Sequence, residues 1–432
     1  MTLSVGTVRN HTPLHYGNTC LDQVNMFTYL GIDIQNNGNF KTAIASRISK
    51  ANRALFLYKQ ALKTTGNVNT VLTMSIFNKQ ITPILTYGCP IWGLPTTTNY
   101  MKIIGIDTPQ QGRDIINTLL GRTVPISWLR KSHSRPDQQN QLLINLSNIQ
   151  DKDNIFRNRH LLPPTISIHD VDIEYDKPQY EKLHTTFCKY VLNLPKQAGN
   201  NASRGELGRF PLCNKIWSLA IKYWMRLERG TDNIFVNNAF QCAKAENHQW
   251  VQQIYNLLSR YGLGHIWTNP LNVTPTHASK PFERRINDIY VQNWHDTQYK
   301  SSRFNLQNSL VQDYRPSQYL DSIPNIEARN IISRLRLDMN ILQESKGRKT
   351  GGERTCPTCP DTIETVGYFI LDCPLYSLQR TDFFNSMTNT SPNLQKMSKS
   401  QTLNIILTAA DPKAAKNISD YICKIYKART DL

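Results

Sequence analysis

VNMFTYLGIDIQNNGNFKTAIASRISKANRAL (residues 24–55) is where the chain changes its hydrophobic period, and that change decides the fold. TYLGIDI (residues 28–34) suits a strand, and Asn36-Asn37-Gly38 after it is a strong turn signal. Upstream, Leu14-His15-Tyr16, the Gly17-Asn18 pair and the apolar residues through Phe27 predict a hairpin. Downstream, Ile44, Ile48, Ala51, Leu55, Tyr58 and Leu62 recur at alternating steps of four and three. That pattern is one face of a long amphipathic helix, whose other face carries Arg47, Lys50, Arg53, Lys59 and Lys63.

A second helix is expected over 68–81, kinked or ended by Pro83, and ILTYGCPIWG (residues 84–93) closes the unit. Residues 94–180 are dominated by Pro, Thr, Asn, Gln and Ser, which predicts a connector with short helices rather than a packed core. From His184 the helical pattern returns through LHTTFCKYVLNLP, is interrupted by the polar break NNASRGELGRFP, and resumes with Ile216, Ala220, Tyr223 and Leu227. Arg226 and Arg229 sit in the last turn of that helix and Gly230 stops it. Further helices are expected over 249–261, 282–298 and 326–338, with a last one containing Ile418, Ile422 and Tyr426. The fold class is therefore mainly α, with a small N-terminal β hairpin region. The expected parts are a β region over 1–40, a helical unit over 41–93, a loose connector over 94–180, a helical domain over 181–345, a finger-like segment over 346–380 and a helical tail over 381–432.

Composition narrows the partners. Fifty Lys+Arg against thirty-two Asp+Glu give a formal charge of +18, which favours polyanions through phosphate neutralisation and counterion release. No apolar run approaches membrane-span length and the N-terminus lacks a signal-peptide core, so no membrane partner and no secretion are expected. Nine cysteines, an odd number, fit a reducing compartment, nuclear or cytoplasmic, rather than a disulfide scaffold. The sequence holds no P-loop, no dinucleotide-binding glycine pattern and no small-molecule site signature.

ERTCPTCPDTIETVGYFILDCPLYSLQR (residues 353–380) carries the clearest chemistry. Cys356 and Cys359 form the C-x2-C pair with which a tight turn offers two thiolates to one zinc ion, and Cys373 is spaced to be a third. The fourth position of C-x2-C-x8-x-x4-C falls on Tyr368, a poor ligand because a phenol must lose a proton with a pKa near 10. The expectation is a weak, three-cysteine zinc site, completed by water or a carboxylate such as Asp361. The alternative is a finger-shaped loop of free thiols supported by Phe369, Leu371 and Leu375. Arg329, Arg334, Arg336, Lys346, Arg348, Lys349 and Arg354 lead into this segment and are candidates for phosphate contact, with Tyr368 and Tyr376 for base stacking. Arg47, Lys50 and Arg53 are candidates for tracking a duplex backbone from the first long helix. For both sets the plain alternative is a solvated face.

Two further patterns read better as structure. Asp170, Asp172, Glu174 and Asp176 alternate as on a strand and could face a cation, yet lack the glycine and closing glutamate of a calcium loop, which favours a solvated edge strand. His184 and Cys188 are one helical turn apart among apolar residues, which favours a core position.

Three blocks together resemble one family. VNMFTYLGIDIQNNGNFKTAIASRISKANRAL with ITPILTYGCPIWG is similar to the segment after the palm of a non-LTR (LINE-type) retrotransposon reverse transcriptase, where a YLG strand leads into the helical thumb. FCKYVLNLPKQAGNNASRGELGRFPL with KYWMRL is similar to the connector of those polyproteins, and residues 334–380 resemble their C-terminal cysteine–histidine finger. The resemblance implies a remnant of palm over 1–40, a thumb-like unit over 41–93 and RNA or DNA, an element transcript or target site, as partner. The departures concern activity. Such polymerases hold two metal ions with paired aspartates, and this sequence has no adjacent Asp-Asp pair. The matching part begins downstream of that motif, nothing resembles the endonuclease, and Tyr368 and Gly367 stand where the family has histidine and an acidic residue. A catalytically incomplete C-terminal fragment with no catalytic magnesium is the expectation. A helical scaffold without a nucleic-acid role is the alternative. Primer extension on a poly(A)/oligo(dT) template with Mg²⁺ or Mn²⁺ is expected to give no incorporation above a heat-killed control.

Overall fold

A long helix, Lys41–Thr65, dominates the N-terminal part of the computed structural model, which describes residues 15–20, 24–35, 40–65, 69–94, 100–104, 108–123, 126–132, 141–146, 155, 158, 161–163, 165–170, 179–272, 274–299, 302–311, 313–388 and 390–431. The chain is mainly helical and divides into two compact units. One comprises residues 1–92, 178–214 and 284–432, the other 93–177 and 215–283.

In the first unit the long helix buries Ala51, Leu55 and Leu62 and half-buries Ile44, Ile48 and Tyr58, so the six-residue stripe does face inward. Two antiparallel hairpins precede it. His15–Tyr16 pairs with Thr19–Cys20, and Met26–Tyr29 pairs with Ile32–Gln35. The second corrects the reading of TYLGIDI as one strand. Leu30 and Gly31 both take positive φ, 47° and 75°, and turn the chain back on itself, which is the two-residue hairpin geometry that matches strand twist. The expected turn at Asn36-Asn37-Gly38 lies outside the described residues.

Pro83 neither ends nor breaks the second helix. Thr70–Ile76 runs through a π-helical turn, Phe77–Ile81, into Thr82–Thr86. A proline removes the N–H owed to the carbonyl four residues back and crowds it, and the widened turn just before Pro83 accommodates that loss. Phe77, Ile81, Leu85 and Cys89 keep one buried stripe across the irregularity. Phe77 stacks on Phe187 with ring centroids 4.0 Å apart.

The polar break NNASRGELGRFP is the largest departure from expectation within this unit. Asn200–Glu206 is a helix in which Ala202, Ser203, Arg204, Gly205 and Glu206 are all buried. Its charges are paired. Glu206 accepts from Arg336 Nε at 2.6 Å and from Gln307 Nε2 at 3.0 Å. Arg204 donates to Asn201 Oδ1 at 2.7 Å and to Tyr290 Oη at 3.1 Å, and lies 3.9 Å from Glu181. Gly205 is required by close approach, because a Cβ there would meet the Trp294 ring at 2.4 Å. Composition alone calls such a segment a loop; only its partners show that it can be buried.

The helices Ile326–Arg336, Ser377–Met387, Lys399–Thr408 and Pro412–Thr430 pack with Leu192, Leu207 and Tyr319 into one hydrophobic core that runs from Cys188 to Tyr426. The expected boundaries at 345 and 380 therefore fall inside a single core, which includes Cys356, Phe369 and Cys373 of the finger-like segment.

In the second unit the expectation of a connector of short helices over 94–180 is corrected. Tyr100–Ile104, Ile126–Ser132, Gln141–Leu146 and Ser167–Asp170 form an antiparallel four-stranded sheet. Ile126–Ser132 and Ser167–Asp170 are its edges, and Ile103 and Ile144 lie in a core with Ile116 and Leu119 of the helix Pro109–Leu120. Asp170 thus ends an edge strand, as its alternation suggested, while Asp172, Glu174 and Asp176 lie outside the described residues. The strands are short and set among Pro-, Thr-, Asn-, Gln- and Ser-rich sequence, so their β character was masked by loop-like composition. Among the described residues, the part of this unit over 215–283 is mainly helical, with Trp224 stacked on Trp267 at 5.2 Å.

Replacing Arg336 by methionine would leave the carboxylate of Glu206 buried without its cation. The expected loss is about 3–5 kcal/mol of stability, the usual result of removing one partner of a buried pair. Urea unfolding followed by circular dichroism measures it.

Candidate metal centre

The finger-like segment begins with a tight hairpin. Thr355–Cys356 pairs antiparallel with Cys359–Ile363, so that Cys356 and Cys359 stand opposite each other across Pro357-Thr358. A proline and a short polar residue at the centre of such a turn pre-set its backbone. The short helix Val366–Leu371 follows, capped by Thr365, whose hydroxyl accepts from the Tyr368 amide at 3.0 Å. Beyond it the Cys373 amide returns to the Tyr368 carbonyl at 2.9 Å, which carries the third thiol back towards the hairpin.

The three sulfurs of Cys356, Cys359 and Cys373 lie within 4.8 Å of one another, with 4.0 Å between Cys356 Sγ and Cys373 Sγ. A tetrahedral zinc ion with Zn–S bonds of about 2.3 Å holds its sulfurs about 3.8 Å apart, so the trio is spaced to hold a metal ion. Cys356 and Cys373 are buried and Cys359 is half-buried. Among the described residues no imidazole or carboxylate joins them, and Asp361 is not part of the group.

Two hydroxyls do reach the sulfurs. The phenol of Tyr368 is hydrogen-bonded to Cys359, and that bond, with a second from Thr358, holds the Cys359 thiol below its usual range. The same bond and the neighbouring thiols push the Tyr368 phenol upward, so it stays protonated at neutral pH. Burial raises the Cys373 thiol, with Cys356 adding to the effect. Thr358 Oγ1 lies 3.3, 3.7 and 4.0 Å from the sulfurs of Cys356, Cys359 and Cys373. Spacing pointed to Tyr368 alone; Thr358 was missed, although its place inside the C-x2-C turn is the signal that could have found it.

The centre is anchored from behind by Glu364. Its carboxylate accepts from the Gln343 amide at 2.6 Å and from Arg429 at 2.6 and 3.1 Å, joining the helix Gln343–Thr350, the finger and the helix Pro412–Thr430. Gly347 lets the returning strand lie against that first helix. A Cβ there would meet Arg354 Cγ at 2.6 Å and the Glu353 carbonyl at 2.8 Å.

The predicted phosphate-contacting residues separate into two groups. Lys346, Lys349 and Arg354 are exposed beside the finger, and Lys50 and Arg53 are exposed on the long helix. Arg336 is corrected: it is buried, spent on Glu206, the Leu407 carbonyl and Ser317, and cannot meet a ligand. Arg329 is likewise buried, bonded to Thr70 and the Leu320 carbonyl. Arg348 is paired with Glu344 and lies 3.9 Å from Asp338. Arg334 is half-buried and donates to the Asn193 carbonyl at 3.1 Å. Arg47 turns to the Gly31 carbonyl and stacks 4.3 Å from the Tyr87 ring centroid, so it fixes the hairpin to the helix. Tyr376, expected to stack on bases, is buried edge-on against Phe369. A helical period places a charge on a face but does not reveal which faces a later segment will cover.

His184 and Cys188 are both fully buried, as the apolar surroundings suggested. Arg209 Nε donates to His184 Nε2 at 2.8 Å, which leaves Nδ1 to donate to Glu181, 3.3 Å away. The pair belongs to the packing of the first unit. Compared with protein-family models, curated proteins and solved structures, the chain matches none of them. Among the described residues no helix is long and apolar enough to cross a membrane.

Tyr368→His supplies a neutral imidazole where a phenol now holds its proton. Zinc affinity of the full chain is expected to rise by at least about tenfold, because imidazole ligates without that deprotonation cost. Competition against a chromophoric chelator, wild type beside variant, measures it, and equal affinities would count against Tyr368 as the fourth corner.

Proposed function

We propose that this chain binds nucleic acid, as the C-terminal part of a polyprotein resembling non-LTR reverse transcriptases, and that zinc closes its three-thiolate loop. The observation that carries the reading is the juxtaposition of the cysteine trio with the exposed cations Lys346, Lys349 and Arg354 on and beside the helix that Glu364 ties to it. Zinc is favoured over harder cations by donor chemistry, since thiolates suit it and Mg²⁺ and Ca²⁺ prefer oxygen. Three thiolates leave a fourth position for water, with the neutral Tyr368 phenol and the Thr358 hydroxyl donating to sulfur. In small finger peptides such ions contribute about 10–16 kcal/mol of apparent folding energy. Here the loop already shares a hydrophobic core, so the metal's role is to fix the hairpin carrying the neighbouring cations.

The function is binding without catalysis. Adjacent aspartates of the kind that hold paired metal ions do not occur in the sequence. Lys346, Lys349 and Arg354 would meet phosphate oxygens, which sets register and affinity and carries no base sequence.

The test is a titration of the full chain with a labelled RNA hairpin at several salt concentrations. Log K is expected to fall linearly with log salt, and replacing Lys346, Lys349 and Arg354 together by alanine should lessen the slope by roughly 0.9 per lost phosphate contact. A wild-type slope near zero overturns the reading in favour of a helical scaffold.

A further inference from the structure

In the first unit the helix Gln179–Val191, the turn after it, the helix Ile326–Arg336 and the facing residues Lys59 and Thr70 enclose a cleft of about 580 Å³. Small-ligand sites span about 300–1,000 Å³, so the volume suits one or two nucleotides rather than a water cluster. Its chemistry is divided. Lys59, Lys189, Lys196 and Arg329 supply four cations, and the lining contains no carboxylate. Tyr190, Leu194, Leu320 and Ile326 give the same cleft an apolar surface.

Three of the four cations are held in place. Arg329 is buried, fixed by donation to Thr70 Oγ1 at 2.9 Å and to the Leu320 carbonyl at 3.3 Å. Lys59 Nζ stands 4.3 Å from the Tyr190 ring centroid, and Lys189 Nζ donates to the Lys196 carbonyl at 2.7 Å, which shapes the turn carrying Lys196. Burial lowers both the Lys59 ammonium and the Arg329 guanidinium from their usual ranges, and Asp321 acts on Arg329 from outside the lining. Lys59 and Arg329, partly desolvated beside an apolar floor, are costly by themselves, and an anion with an apolar part offsets that cost.

We propose that this cleft binds a nucleotide unit of single-stranded nucleic acid, with phosphate against Lys59 and Lys196, the buried Arg329 charge behind them, and the base against the apolar wall beside Tyr190. The site is separate from the metal centre, and the proposal rests on the nucleic-acid reading only for the identity of its ligand. Sequence-tolerant binding of single strands uses this combination of a cationic track and faces on which bases lie. Lys59 and Lys196 come from segments far apart in the chain, which is why sequence spacing could not assemble them.

The experiment titrates the full chain with a fluorescein-labelled ten-nucleotide single strand across a salt series. Wild type is compared with the Lys59→Gln, Lys196→Gln double variant, and with Lys346→Ala, Lys349→Ala, Arg354→Ala as the finger-side control. Arg329 is left intact because it also holds the fold, and thermal midpoints confirm that each variant folds. The double variant is expected to lessen the salt slope by about 1.4, roughly 0.7 for each phosphate contact on a single strand. An unchanged slope and affinity beside a wild type that binds overturns the cleft while leaving the finger reading standing. No salt-dependent binding by wild type overturns the nucleic-acid reading itself. An abasic strand of the same length is expected to bind more weakly; equal affinity overturns the stacking of a base in the cleft.

Discussion

The buried pair between Glu206 and Arg336 is the constraint on which the larger unit depends. Both side chains are essentially without solvent, and their Oε1–Nε distance is 2.6 Å. Two charges so placed are tolerable only when every remaining donor and acceptor is used. Arg336 therefore also reaches the Leu407 carbonyl and Ser317, and Glu206 also takes Gln307. Each of those partners belongs to a different segment, so one pair ties five segments together. The helix Asn200–Glu206 can occupy the interior only because those segments meet it there.

The same logic operates at smaller scale behind the metal centre. Glu364 is buried between an amide of one helix and the guanidinium of Arg429 on the last helix. This fixes the back of the finger independently of any ion. The three sulfurs are brought together by a hairpin, a capped helical turn and a return to the Tyr368 carbonyl, all of them backbone devices. What a metal would add is charge balance, since three thiols within 4.8 Å resist ionising together without a cation.

Much of the helical framework was legible from the chain. The stripe from Ile44 to Leu62, the helices at 249–260 and 326–336 and the final helix through Ile418 and Ile422 follow the 3.6-residue period, because each buries a single face. The cysteine trio was legible because ligand spacing is a local property of a turn and a short helix. The sheet over 100–170 was not, since its strands are short and pair across long gaps. Nor was the fate of Arg47, Arg329, Arg334 and Arg336, which look alike in sequence as basic residues of amphipathic helices.

By itself, then, the sequence determined the mainly helical class, the turn that presents Cys356 and Cys359, and a strong excess of positive charge. These depend on residues close together in the chain or on simple sums. Tertiary structure alone decided which charges are spent inside and which remain outside. It made NNASRGE a buried hub, placed Thr358 over the sulfurs, and gathered Lys59, Lys196 and Arg329 around one cleft. The physical reason is that burying a charge or a polar backbone depends on partners supplied from distant segments, and no local pattern records who those partners will be.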